Sequence, residues 1–241
     1  MRQSPALQVP IMVGTVTNES VQFVWEASPK ALPRIEYDLF IDEIFGLGNN
    51  SKAVIDLYGH PPKSQAKDVR DFLSVLGTDY IFTCPNHYVM QGYAKSTPVY
   101  NYLFDHLNSF NKFMQHDWYP ECDDWICHGS EIPILFSSEY FVNASMRPVL
   151  TPGEIILSAQ MKALWSNFAR SGNPNSPAVI PVAAGDPALV VPLFTANGVR
   201  NSLNLSVPSG MVVNYRQHYC AVLDKVGYNL DRVSLAAASQ V

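Results

Sequence analysis

At 241 residues, 47% apolar and only 15% charged, the chain can build a sizeable core, and its net charge of −5 gives no electrostatic footprint for nucleic acid. No basic run is long enough to seek an anionic membrane, and no apolar stretch approaches the ~20 residues of a membrane-spanning helix. So small a share of charge implies a surface rich in Ser, Asn, Gln, Thr and Tyr, or apolar surface that meets a partner.

Val9 to Val16, rich in Val and Ile and ending at Thr17-Asn18, reads as a buried strand. Tyr37 to Leu47 carries a helical apolar stripe, and Ala53 to Tyr58 is a short apolar piece closed by Gly59. Ser64 to His87 reads as helix, turn, helix: Val69, Phe72, Leu73 and Leu76 fall at helical spacing, and Gly77 is expected to break the run. Pro98 to Phe104 is alternating and aromatic-rich, a strand. His106 to Trp125 has no period and reads as a long loop.

Pro152 to Arg170 is the clearest helix. Thr151 is placed to cap it, Pro152 occupies its first position, Glu154 completes a capping box, and Gly172-Asn173-Pro174 stops it. Ser176 to Gly210 reads as a Pro- and Gly-punctuated loop with short strands, one at Ser202 to Leu205, and Met211 to Val226 as a last helix. Two or three strands are too few for an open α/β sheet, so the pattern implies part of one. One continuous unit over residues 1–230 is expected, followed by a flexible tail at 231–241.

The four cysteines, at 84, 122, 127 and 220, admit two disulfides in an oxidising compartment or four buried thiols, and three pairings are open. Their spacing makes a poor zinc site, and neither a metal nor a cofactor is expected. Sequons begin at Asn18, Asn49, Asn143 and Asn204, whereas residues 1–5 lack the apolar core of a signal peptide.

Two segments carry chemistry. Cys127-His128-Gly129-Ser130-Glu131-Ile132-Pro133-Ile134-Leu135-Phe136 resembles the histidine loop of the type-B carboxylesterase/cholinesterase family, and Val13 to Ser20 resembles its acid loop. Further resemblances follow in order: Asp79 to Pro85, Val99 to His106, Trp165 to Asn175 and Tyr219 to Asp224. The resemblance implies the C-terminal part of an α/β-hydrolase fold, an incomplete mixed sheet with covering helices. It also implies acyl transfer to a serine, with chain order Ser, acid, His. Glu19 and His128 then take the catalytic positions: His128 as general base and acid, Glu19 fixing its tautomer. Glu131 is assigned a supporting place in that site.

The resemblance pairs Cys84 with Cys220, leaving Cys122 and Cys127 to close a local loop before His128. Burial of Glu19 implies that the Asn18 sequon is unused, so Asn49, Asn143 and Asn204 are the glycosylation candidates. The other histidines read as packing or surface residues, and Tyr80, Phe82 and Trp125 as gorge-lining or plain core.

No G-x-S-x-G and no Gly-Gly-Gly segment occurs in the chain. The resemblance therefore assigns the nucleophile and oxyanion donors to an N-terminal half not found in these residues, and an isolated chain is expected to be inactive. Completed by such a half, it is expected to act on a small-molecule carboxylic ester, as a secreted or ER-lumen glycoprotein. The alternative is a non-catalytic, cholinesterase-like adhesion or binding protein.

Overall fold

The computed structural model describes residues 9–111, 119–137, 149–196 and 199–229. Its contacts group into two compact units, one holding residues up to Thr17 and Tyr88–Tyr215, the other Asn18–His87 and residues from Arg216 onward.

The first unit is built on a mixed four-stranded sheet. The expected first strand forms β1, Ile11–Val16, and the aromatic strand forms β2, Val99–Phe104. They pair in parallel, with Val16 opposite Phe104. β3, Asn201–Leu205, runs parallel to β2 on its other side, and β4, Gly210–Val213, closes the order antiparallel to β3. Five of the six β2 residues are buried, as a strand flanked on both sides and covered on both faces requires.

The long helix Pro152–Ser171 packs Leu157, Met161 and Leu164 into one core with Val16, Phe104 and Leu205. Its start is the capping box read from sequence: Glu154 N–H donates to Thr151 Oγ1 at 3.3 Å, while Thr151 N–H donates to Glu154 Oε2 at 2.8 Å.

The second unit is helical: α1, Val21–Ala27; α2, Ile35–Phe45; α3, Asn49–Tyr58; and α4, Arg70–Gly77. A π-helical turn, Thr78–Thr83, runs directly on into α5, Cys84–Tyr93, whose later residues belong to the first unit. Tyr37, Ile41, Val54, Val69 and Leu73 form its core together with Cys84, Cys220 and Leu223. Cys84 is disulfide-bonded to Cys220, on the last described helix, Gln217–Val226.

A buried polar knot reinforces this unit. Arg216 Nε donates to Asp79 Oδ1 and Oδ2 at 2.8 and 2.9 Å, its Nη2 donates to Oδ2, and Tyr58 O–H donates to Oδ2 at 2.6 Å. Burial pushes the Tyr58 hydroxyl well above its ordinary pKa, and the Asp79 carboxylate beside it adds to the rise. Tyr58 is therefore a donor at any working pH.

Two readings of the sequence are corrected. Gly77 does not break its helix: its φ of −60° and ψ of −42° are helical, and α4 continues through it. Its lack of a side chain serves close approach, because a Cβ there would lie 3.0 Å from Ser20 Cβ and Oγ. The last helix begins at Gln217, not Met211. Met211, Val212 and Val213 pair with β3, and Asn214 and Arg216 both adopt φ of 54°, outside a right-handed helix. A run of Met and two Val fits either period, and the β-branched pair favours the strand.

The short apolar piece at Ala53 to Tyr58 proves to be the second half of α3. The expected tail at 231–241 lies outside the described residues.

Candidate active site

The acid segment starts where β1 ends. Thr17 fastens the strand terminus, its N–H donating to Phe104 O at 3.1 Å and its hydroxyl lying 2.7 Å from Asp105 Oδ1. The next three residues turn into α1, with Val24 N–H donating to Ser20 O at 3.0 Å. Ser20 N–H donates to Thr78 Oγ1 at 3.1 Å, tying the turn to the π-helical segment that Gly77 lets it approach. Glu19 is buried there, 5% exposed. Ser20 has φ of −92° and ψ of −1°, which need no left-handed backbone, so the serine imposes no strain there.

Beside this turn lies an apolar cavity of about 130 Å³, lined among others by Ser20, Phe23, Val24, Leu73, Tyr80 and Ile81. The Ser20 hydroxyl is one of the polar groups on its wall and has no hydrogen-bond partner among the described residues. Tyr80 is a core residue, meeting Phe45 edge-on at 4.7 Å and donating to Gly227 O at 3.2 Å. Phe82 is half-buried and stacks on Phe23.

The base segment belongs to the sheet-containing unit. A one-turn 3₁₀ helix, Pro120–Asp123, leads into it, and the Cys122–Cys127 disulfide closes a loop directly before His128. Ser130 N–H then donates to Cys127 O at 3.0 Å, closing a four-residue turn with His128 and Gly129 at its centre. Gly129 has φ of 81°, and His128 is not among the residues of positive φ. This combination is a type II turn, which needs glycine at its third position. The His-Gly pair is thus a backbone requirement as well as a chemical one: the turn presents His128 exposed, between the buried residues Cys127 and Ser130. Glu131, half-buried, is the first residue of α6, Glu131–Phe136. α7 is the long helix Pro152–Ser171, and its Ser158 hydroxyl donates to Ile134 O at 2.7 Å, anchoring α6.

Sequence reasoning missed two buried asparagines on the segment after β2. Asn111 Nδ2 donates to Cys122 O at 3.0 Å and Trp125 O at 3.2 Å, and Asn108 Nδ2 donates to Ser130 O at 2.8 Å. They hold backbone carbonyls on both sides of His128. The available signal was their three-residue spacing, between a strand and the histidine loop, in a stretch with no apolar period. Half-buried Trp125, read as a possible gorge residue, offers its carbonyl to this network.

Glu154 fixes the same segment. Its Oε1 accepts from Ser109 N–H at 2.7 Å and lies 3.2 Å from His106 Nε2, while its Oε2 accepts from the Ser109 hydroxyl at 2.7 Å. Burial alone would raise its pKa, but the donors from Ser109, Thr151 and His106 outweigh burial and hold it down at about 2.

Glu19 and His128 lie in different units, each with its own supports. Asn49 is exposed at the start of α3, Asn204 is half-buried within β3 with Nδ2 3.3 Å from Ser206 Oγ, and Asn143 lies outside the described residues. Among the described residues no helix is long and apolar enough to cross a membrane.

A sequence model of the carboxylesterase family matches residues 1–193. The cAMP-regulated D2 protein of Dictyostelium discoideum is 29% identical over 184 residues, 76% of this chain and 32% of that protein. The Pyrethroid hydrolase Ces2a of Mus musculus is 36% identical over 105 residues, 44% of this chain and 17% of that protein. Among solved structures, a thermophilic PNB esterase superposes with a TM-score of 0.61 at 19% identity, over 89% of this chain and 38% of the esterase. The chain thus carries part of an esterase α/β-hydrolase fold, as expected, and spans between 17% and 38% of the length of these proteins.

Proposed function

Because this chain belongs to the carboxylesterase family, we propose that it supplies the acid and the base of a serine esterase, Glu19 and His128. The main support is the surroundings of His128: an exposed imidazole on a glycine-dependent turn, held by a disulfide loop and two asparagine side chains. A general base must present one ring nitrogen outward while its backbone stays fixed. Glu19, buried just past the end of a parallel strand, suits the role of a shielded carboxylate that accepts the other ring N–H and stabilises the imidazolium. In open α/β sheets the carboxyl ends of strands are where reactive side chains gather.

The chain contains no G-x-S-x-G, so the reading places the nucleophilic serine and oxyanion donors on polypeptide corresponding to the rest of the longer relatives. His128 takes the serine proton as the hydroxyl attacks the ester carbonyl, then returns it to the departing alcohol. The apolar cavity beside Glu19 suits an uncharged alkyl or aryl arm of the ester. Two disulfides and the exposed Asn49 sequon fit folding in an oxidising, glycosylating compartment.

The test is hydrolysis of a short-chain p-nitrophenyl ester by the protein as it occurs in its source, with whatever polypeptide accompanies it. His128→Ala is expected to lower kcat/KM by about 10⁶-fold and to slow labelling by a serine-directed fluorophosphonate. Undiminished hydrolysis in that variant rules out the assignment. Absence of hydrolysis and labelling in the wild-type protein turns the reading toward a non-catalytic binding role.

A further inference from the structure

Glu154 makes more bonds than its cap requires. A capping box needs the two reciprocal contacts with Thr151. Three more reach outward, from the Ser109 N–H, the Ser109 hydroxyl and His106 Nε2. They fall on the segment that carries Asn108 and Asn111, and each asparagine spends its amide on the backbone around His128. The chain of contacts runs from a fully buried carboxylate on α7, through the 106–111 segment, to the carbonyls of Cys122, Trp125 and Ser130. Every link lies within the sheet-containing unit.

We propose that Glu154, acting through Asn108 and Asn111, is a positioning residue for the His128 turn. The inference rests on the reading of His128 as the base. Its physical content is that a catalytic imidazole on a loop gains its aim from the groups that fix that loop's backbone. The Cys122–Cys127 bridge shortens the loop but leaves its carbonyls to be held by donors, and Asn111 donates to one inside the bridge and one at its border. Asn108 does the same on the far side of the turn, at Ser130 O. The anchoring carboxylate is fully buried, and its five donors satisfy it where an amide in its place would turn an N–H toward donors.

Glu154→Gln, Asn111→Ala and Ser109→Ala in the full protein separate a clamp from a mere cap. Glu154→Gln and Asn111→Ala are each expected to lower kcat about 10- to 100-fold with KM within about twofold, and to speed amide exchange across residues 120–132. The double variant is expected to fall no further than the worse single one, because both break the same chain of contacts. Glu154→Asp is expected to recover part of the loss. Ser109→Ala leaves the Thr151 cap intact and keeps the idea testable if Glu154→Gln does not fold; it is expected to raise exchange in the same window by a smaller factor.

Unchanged exchange over 120–132 in Asn111→Ala and Ser109→Ala, or a loss carried by KM alone, overturns the proposal. If His128→Ala leaves hydrolysis intact, the esterase reading has failed instead, and the positioning role falls with it even where the exchange data still show the clamp.

Discussion

Around Glu19 the backbone is fixed mainly by packing: α1 lies in a helical unit whose core draws on α2, α3, α4 and Leu223, and a disulfide joins residues 136 apart in sequence. Around His128 it is fixed mainly by polar atoms: two asparagine amides, a buried carboxylate and a disulfide joining residues only 5 apart. The difference suits the two proposed tasks. An acid that only orients its partner tolerates a buried, apolar setting. A base that must move a proton needs an exposed ring on a backbone that cannot drift, and short directional bonds give that more economically than a second core.

The sharpest way to break the comparison is through activity. If the proposed relay holds, Glu19→Gln, which keeps the side chain's shape and removes its charge, is expected to lower hydrolysis by about 10⁴-fold, a smaller loss than that of His128→Ala. A loss under tenfold would mean that the two residues do not form one relay. The disulfides come next. In the chain-entropy model, replacing Cys84 and Cys220 by Ala costs about 5 kcal/mol and replacing Cys122 and Cys127 about 2 kcal/mol. Denaturant unfolding measures the first, and hydrogen exchange at the base loop should respond chiefly to the second.

Removing one partner of the Asp79–Arg216 pair, as in Arg216→Met, strands a buried carboxylate and is expected to cost about 3–5 kcal/mol, read as a fall in denaturation midpoint without effect on exchange at 120–132. Acid titration probes the other unit. The Glu154 pKa is depressed from 4.5 to about 2, so its stabilisation is complete above pH 4.5 and is lost as pH falls toward 2. Glu154→Gln should be less stable near neutrality and show a shallower loss of stability across that interval. The smallest effect belongs to Gly129→Ala: a side chain at φ of 81° is expected to cost about 1–2 kcal/mol, measured by thermal unfolding.

Much of this was legible because it is local. Thr151, Pro152, Glu154 and Gly172 announce a helix within its own sequence, and both its ends lie within a residue of where they place them. The roles of His128 and Glu19 are proposals that rest on the resemblance of short segments, and the type II turn explains why Gly129 must follow the histidine. What escaped depends on partners distant in sequence. Gly77 reads as a helix breaker until Ser20 is seen against it, and Met211 to Val213 reads as helix until β3 is there to pair. Asn108 and Asn111 look like ordinary loop polars because the carbonyls they hold are up to 22 positions away. The outward half of the Glu154 contacts is invisible for the same reason, since a capping box already accounts for a glutamate at that place.

The way the chain threads the helical unit has a consequence for how it is made. Residues 18–87 emerge before residues 88–215, but the helix that completes their core, and the thiol that Cys84 must find, arrive only after all four described strands have been translated. Until then Cys84 is an unoccupied thiol in a half-built bundle, open to mispairing with Cys122 or Cys127, which appear sooner. A ribosome stalled before position 220 should therefore hold a chain in which the helices of residues 18–87 are still unsealed, and disulfide proofreading, not helix formation, should govern how much correctly joined protein is released.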